Sequence, residues 1–290
     1  MEVSRTRGSD TAAGLPPLRS ALVSISAGTP PRSALLTAWG NAWLAGEASL
    51  PELEARVGAY DDSHVVQSLA PQGVARGLPL DRAAARLRAG GVSRLRLVLP
   101  EPGDALGLPV PGPFTVAAMS AGEGVLALRE DGSGSGLVPT LQVHGSDVDG
   151  TVTTVTWTAY DVSRVGPDPG PLLHDAEHDL RRGILECAAT LRDLDVARWR
   201  PDVAGPLGDL RRQSGNGLDE DQLPAGYPIR ARQLLTSARQ LAGVLQLAQQ
   251  DSGGALDTRE TLGRELALRE LARLVRRARV AAYNAYELGP

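Results

Sequence analysis

A chain of 290 residues with 42% apolar content is long enough to bury a core without staples, in one large domain or two smaller ones. Its net charge of −4 gives no global attraction to nucleic acid or to an anionic membrane, and no apolar run approaches the roughly 18 residues of a membrane helix. A single cysteine, Cys187, cannot close an intramolecular disulfide, and no signal-peptide pattern opens the chain, so a cytoplasmic location is expected.

Aromatic residues make up 3% of the chain, so Leu, Val and Ala must fill the core, and all 30 basic residues are Arg, a compositional bias that says little about function. Residues 1–20 lack apolar periodicity and read as a disordered tail. Ala21 to Ser26 reads as a short strand. Thr29 is placed to cap a helix from Pro30 or Pro31 that carries Leu35, Leu36, Trp39 and Trp43 and ends at Gly46. Ser49 and Glu52 have capping-box spacing for a second short helix, and Asp81 to Ala89 forms a third that stops at Gly90-Gly91.

Val92 to Leu99 alternates Arg94 and Arg96 with Leu95 and Leu97, the pattern of a strand with one buried face. The proline-rich stretch from Pro100 to Pro113 is a loop. Further strands are expected at Phe114 to Ala118, Val125 to Leu128, Leu137 to Val143 and Thr151 to Tyr160, paired as an antiparallel meander. Beyond Gly166 to Pro171 the periodicity becomes helical. One stripe runs from Leu173 through Leu180 and Cys187 to Leu194, a second from Leu234 to Ala248, and a third helix is capped by Asp257 and Glu260 and runs to about Asn284. Residues 213–228, between the first two of these helices, read as a mobile loop. The expected class is α+β: mixed helices with a mainly antiparallel sheet over 21–165, then a three-helix, bundle-like region over 171–287.

Few residues suggest chemistry. His174, Glu177 and His178 have H-x-x-E-H spacing on a helix and resemble the inverted zincin motif, in which two His residues bind zinc and the Glu activates the metal-bound water. The surrounding sequence does not look like that family. Helical projection places both His residues on the wetter side, where solvated histidines are the plainer reading. Glu177 is the catalytic candidate and zinc the cofactor that such a site would take.

Arg269, Arg273, Arg276 and Arg277 project within one quadrant of the last helix and form an Arg ridge suited to an acidic or phosphate-bearing partner, or simply a solvated face. Glu101 and Asp104, in the loop after a strand, offer two carboxylates to a ligand or metal or else build a turn. Cys187 sits on an apolar stripe and reads as a small buried hydrophobe.

At LVLPEPGDALGLPVPGP, GYPIRARQLL and RRARVAAYNAYEL the chain resembles a family of uncharacterised conserved hypothetical proteins of actinobacteria. That resemblance implies a bacterial cytosolic setting and carries no functional residues. No nucleophile, base and orienter can be named together, so whether the chain is an enzyme stays open and a non-enzymatic cytoplasmic binding or interaction protein is the leading expectation. Its expected partner is a protein, not a membrane. The alternatives are a metal-dependent hydrolase using His174, Glu177 and His178, and a nucleic-acid-binding protein using the Arg ridge.

Overall fold

A computed structural model describes residues 29–68, 77–109, 111–146, 150–163, 165, 170–194, 223–250 and 258–287. The expected strand at Ala21 to Ser26 and most of the expected loop at 213–228 lie outside the described residues.

Helix α1 (Arg32–Ala45) is buried without interruption from Ser33 to Ala42. A helix apolar on every side belongs inside a core rather than on a surface. It begins at Pro31 rather than at a Thr29 cap: no side chain caps it at Pro31, and the Glu123 carboxylate accepts from the Ser33 amide at 2.8 Å instead. Gly46, with φ near 81°, ends it in the left-handed conformation that glycine adopts without strain. Helix α2 (Leu50–Val57) starts on Ser49, whose hydroxyl accepts from the Glu52 amide as the spacing predicts. Strands β1 (Ser63–Ser68) and β2 (Leu78–Pro79) follow, then α3 (Leu80–Ala89).

Strand β3 (Arg94–Val98) is buried on both faces, because a loop from its own C-terminal end also covers Arg96. The expected strand at Phe114 to Ala118 is instead helix α4 (Pro113–Ala121). Pro113 in the first turn and Gly122 at the C-cap frame a helix, and they outweigh the local β-preference of Phe, Thr and Val. β4 (Gly124–Leu128) leads into the long β5 (Gly134–Ser146) and β6 (Gly150–Val162).

Six strands form one sheet in the order β2-β1-β6-β5-β4-β3, with an unanticipated parallel pairing of β1 with β6. The expected antiparallel meander holds for β4, β5 and β6, while β3 rather than the 114–118 segment pairs antiparallel with β4. One face packs Leu95, Leu97, Val125, Val155 and Trp157 against α1 and its neighbours. Near β3 to β5 the other face is covered by α4, whose Phe114 ring lies against Gly136, where an added Cβ would collide.

Three further helices, α5 (Leu173–Asp193), α6 (Ile229–Gln250) and α7 (Thr258–Asn284), share a second aliphatic core built on Leu180, Cys187, Ala238, Leu245, Leu274 and Val275. The protein is α+β. The last turns of α7 leave that core and place Val280, Ala282 and Tyr283 in the core beneath the sheet, so one helix belongs to both.

Candidate interaction surfaces

In an antiparallel ladder, alternate residues send both backbone polar groups to the same side. On β3 the outward set is Leu95, Leu97 and Leu99, and each finds a side-chain partner. Asn41 of α1 accepts from the Leu95 amide at 2.7 Å and donates to its carbonyl at 2.9 Å. Asn284, closing α7, does the same for Leu97 at 2.8 and 3.0 Å. Arg276 donates to the Leu99 carbonyl. Two carboxamides thus stand where a neighbouring strand would present peptide groups, and this edge is sealed.

Arg276 is the hub of the end of that seal. It is 1% exposed, so the expected Arg ridge is not a uniform solvated face: Arg276 turns inward under the proline-rich loop. Its Nε lies 3.2 Å from Glu101 and its Nη2 donates to Asp104 at 2.6 Å. Arg277 lies 3.6 Å from the same Asp104 oxygen, and Arg273 pairs with Glu270 through two hydrogen bonds. Arg269 is exposed.

The two carboxylates respond oppositely. Burial pushes Glu101 above the usual carboxylate range despite the guanidinium beside it. Burial acts on Asp104 in the same direction, but Arg276, hydrogen-bonded to it, together with Arg277 and the Leu106 amide, holds it below that range. Glu101 and Asp104 also exchange backbone hydrogen bonds at 2.8 and 3.0 Å, so the loop is a built turn pinned to α7.

On α5, Glu177 receives Arg181 at 2.6 Å and Arg230, from α6, at 2.7 Å, and Arg230 also approaches His174 Nδ1 at 3.4 Å. Those guanidiniums, Arg230 first, hold Glu177 below the usual range. A carboxylate engaged by two cations is a poor general base, since its proton affinity is reduced. His174 and His178 are both exposed, and no group of three or more potential metal ligands occurs among the described residues. Cys187 is buried in the helical core, where burial raises its thiol pKa.

A buried array that the sequence reading did not single out lies under α1. Arg32 grips Asp61 with two hydrogen bonds, 3.0 and 2.8 Å, and Asp61 lies 3.4 Å from His64 Nε2. Trp157 donates to His64 Nδ1 at 3.1 Å. Indole is only a donor, so the His64 proton must sit on Nε2, facing Asp61. Burial lowers the His64 pKa; Nδ1 accepts from Trp157, and Nε2 faces Asp61 at ion-pair distance. The array ties β1 and β6 to α1. Its one sequence signal is the i, i+3 spacing of Asp61 and His64.

The other long run of edge lies on β5. β4 pairs with it only as far as Leu137, and beyond that no strand lies beside it among the described residues. The Arg129 amide donates to the Ser133 carbonyl at 2.8 Å, which fixes the parity: residues 133, 135 and 137 bond toward β4, so 139, 141 and 143 point outward. Pro139 agrees with this, since it has no N–H to give to β6. Leu141 and Val143 are 48% and 59% exposed, and no residue from 134 to 146 is charged.

These features define an α+β protein whose sheet is sealed at one edge by asparagines from two helices and, among the described residues, unpaired along part of another strand. Residues 33–172 match the model of the Rv1486c-like protein, N-terminal domain, and residues 174–280 that of the Rv1486c-like protein, C-terminal domain; the chain belongs to the Rv1486c-like family. It is 29% identical over 281 residues to the uncharacterized protein Rv1486c of Mycobacterium tuberculosis, an alignment spanning 87% of this chain and 96% of that one. It is 29% identical over 228 residues to the uncharacterized protein MAV321 of Mycobacterium avium, covering 70% of this chain and 74% of the relative. The uncharacterized protein ML1804 of Mycobacterium leprae is 27% identical over 293 residues, with 87% and 96% covered. These are actinobacterial proteins, as the resemblance implied. No solved structure matches the chain. No helix among the described residues is long and apolar enough to cross a membrane.

Proposed function

We propose that this protein is a cytoplasmic, non-enzymatic interaction protein that binds a polypeptide by adding a strand to the outer edge of β5. One observation carries this reading. Residues 140–145 are exposed and uncharged, and Leu141 and Val143 point both their backbone polar groups outward beside β6. Natural sheets protect exposed edges with charges, prolines or covering elements. Here Pro139 marks the beginning of the stretch, and no charged residue follows it before Asp147. Main-chain hydrogen bonds would supply affinity and the alternating side chains specificity, as in other strand-addition complexes.

A photo-crosslinking residue at Gln142 tests the reading in the cell. Discrete polypeptide adducts are expected, lost when Val143→Pro removes one outward donor without touching the β5–β6 ladder. Adducts forming from Arg273 but not from Gln142 would move the site to α7 and overturn the proposal, as would adducts with nucleic acid.

A further inference from the structure

Resting on that strand-addition reading, we infer that the polypeptide taken up by the β5 edge is a second copy of this chain, paired antiparallel through residues 140–144 about a two-fold axis at Gln142. The register follows from the parity already established. With Gln142 opposite its own copy, Leu141 faces Val143 of the other chain and Val143 faces Leu141, and each such pair exchanges both N–H···O bonds because these residues point outward. Moving the axis to Leu141 would set Val143 against Pro139, which has no N–H to give, and moving it to Val143 would set Leu141 against Gly145, where the chain leaves extended geometry.

Three observations favour the same sequence as occupant. First, the edge is self-complementary. Leu141 and Val143 lie on the sheet face of their β6 partners Val155 and Thr153, so pairing gathers both residues of both chains into one apolar patch. Second, the segment from 134 to 146 carries no charge, so the two-fold brings no like charges together, which an isologous contact between charged edges could hardly avoid. Third, the available ladder is short at both ends. Pro139 lacks a donor, and Gly145, with φ of 109°, turns the chain out of extended geometry. A five-residue ladder suits a weak, concentration-dependent dimer at the small end of specific interfaces. Gln142, Thr140 and His144 line the opposite face of the same ladder, with Gln142 against its copy.

The register makes a geometric demand. Gln142 would form a non-hydrogen-bonded antiparallel pair with itself, with Cα atoms about 4.5 Å apart, within the span a disulfide bridges. Full-length Gln142→Cys should therefore oxidise to a covalent dimer, whereas Thr140→Cys, whose partner is His144 of the other copy, should not. Sedimentation equilibrium of the unaltered protein should show a monomer–dimer equilibrium, weakened at least tenfold by Gln142→Lys, which sets two ammonium groups face to face. A dimer that fails to crosslink at 142, or that crosslinks equally well at 140, overturns the proposed pairing. A monomer at every concentration overturns the second copy as occupant. In that case discrete polypeptide adducts at Gln142 in the cell still leave strand addition standing with another chain, and their absence removes both proposals.

Discussion

The edges of β3 and β5 belong to one sheet and carry the same kind of outward backbone groups, yet the chain treats them differently. At β3, Asn41 and Asn284 each satisfy one amide and one carbonyl, and Arg276 takes the next carbonyl. At β5, residues 140–145 remain exposed. A carboxamide has the donor and acceptor of a peptide group in similar geometry, so an asparagine on a helix mimics a strand that is not there. The difference teaches that satisfying an edge from outside requires a second element packed close against it. α1 and α7 run beside β3, while no strand or helix side chain is seen to cap residues 140–145 of β5 among the described residues.

The largest expected effect comes from unsealing β3 at Arg276. Removing one partner of a buried ion pair leaves the rest uncompensated, so Arg276→Ala should cost about 3 kcal/mol or more by chemical denaturation. The same variant should alter acid sensitivity. The folded-state pKa of Asp104 is depressed, so its contribution is present above its unfolded pKa and is lost as pH falls through the folded value. Glu101 is raised, and its contribution has the opposite sign, lost as pH rises through its folded value. In Arg276→Ala the acid-side loss tied to Asp104 should shrink, as seen in the slope of stability against pH below about pH 4. An unchanged slope would mean that Asp104 is not held by Arg276.

Next in size is Asn41→Ala, at a position only 2% exposed. It orphans the Leu95 amide and carbonyl together, at about 1–3 kcal/mol for each buried polar group left unmade. Loss of protection at the Leu95 amide in hydrogen exchange would locate the damage, and retained protection would show that another group had taken the place of Asn41. The smallest expected effect is Val143→Lys. It alters an exposed residue on the open edge, so stability should change by less than about 0.5 kcal/mol. Any strand addition should nevertheless be blocked. A large loss of stability from Val143→Lys would mean that β5 is covered after all, and the contrast between the edges would fail.

Much of the architecture was legible because period and punctuation agreed. The stripes of α5, α6 and α7, the alternation of β5 and β6, and the glycines closing α1 and α3 each carry two independent signals. α4 was misread because Phe-Thr-Val favours strand locally, and the flanking Pro113 and Gly122 decided otherwise. β1 went unread, since six residues held by a parallel partner 91 positions away leave little local trace. The polar clusters were visible only in fragments. Glu101 and Asp104 stood out as carboxylates and Arg276 as part of a ridge, but nothing local joins groups that are 172 residues apart. Asn41 and Asn284 gave no signal, because an asparagine in a helix looks like any other until the strand beside it is known.

Asn284 also sets a schedule. The backbone groups it seals lie 187 residues earlier in the chain, a stretch that takes roughly 10–40 s to synthesise at about 5–20 residues per second. Throughout that interval on the ribosome, β3 exists with its outer edge incomplete at Leu97, and two nascent copies on one messenger would present that edge to each other. The border of the sheet at β3 is therefore completed only after all six strands have been made, by a residue more than a hundred positions beyond the last of them.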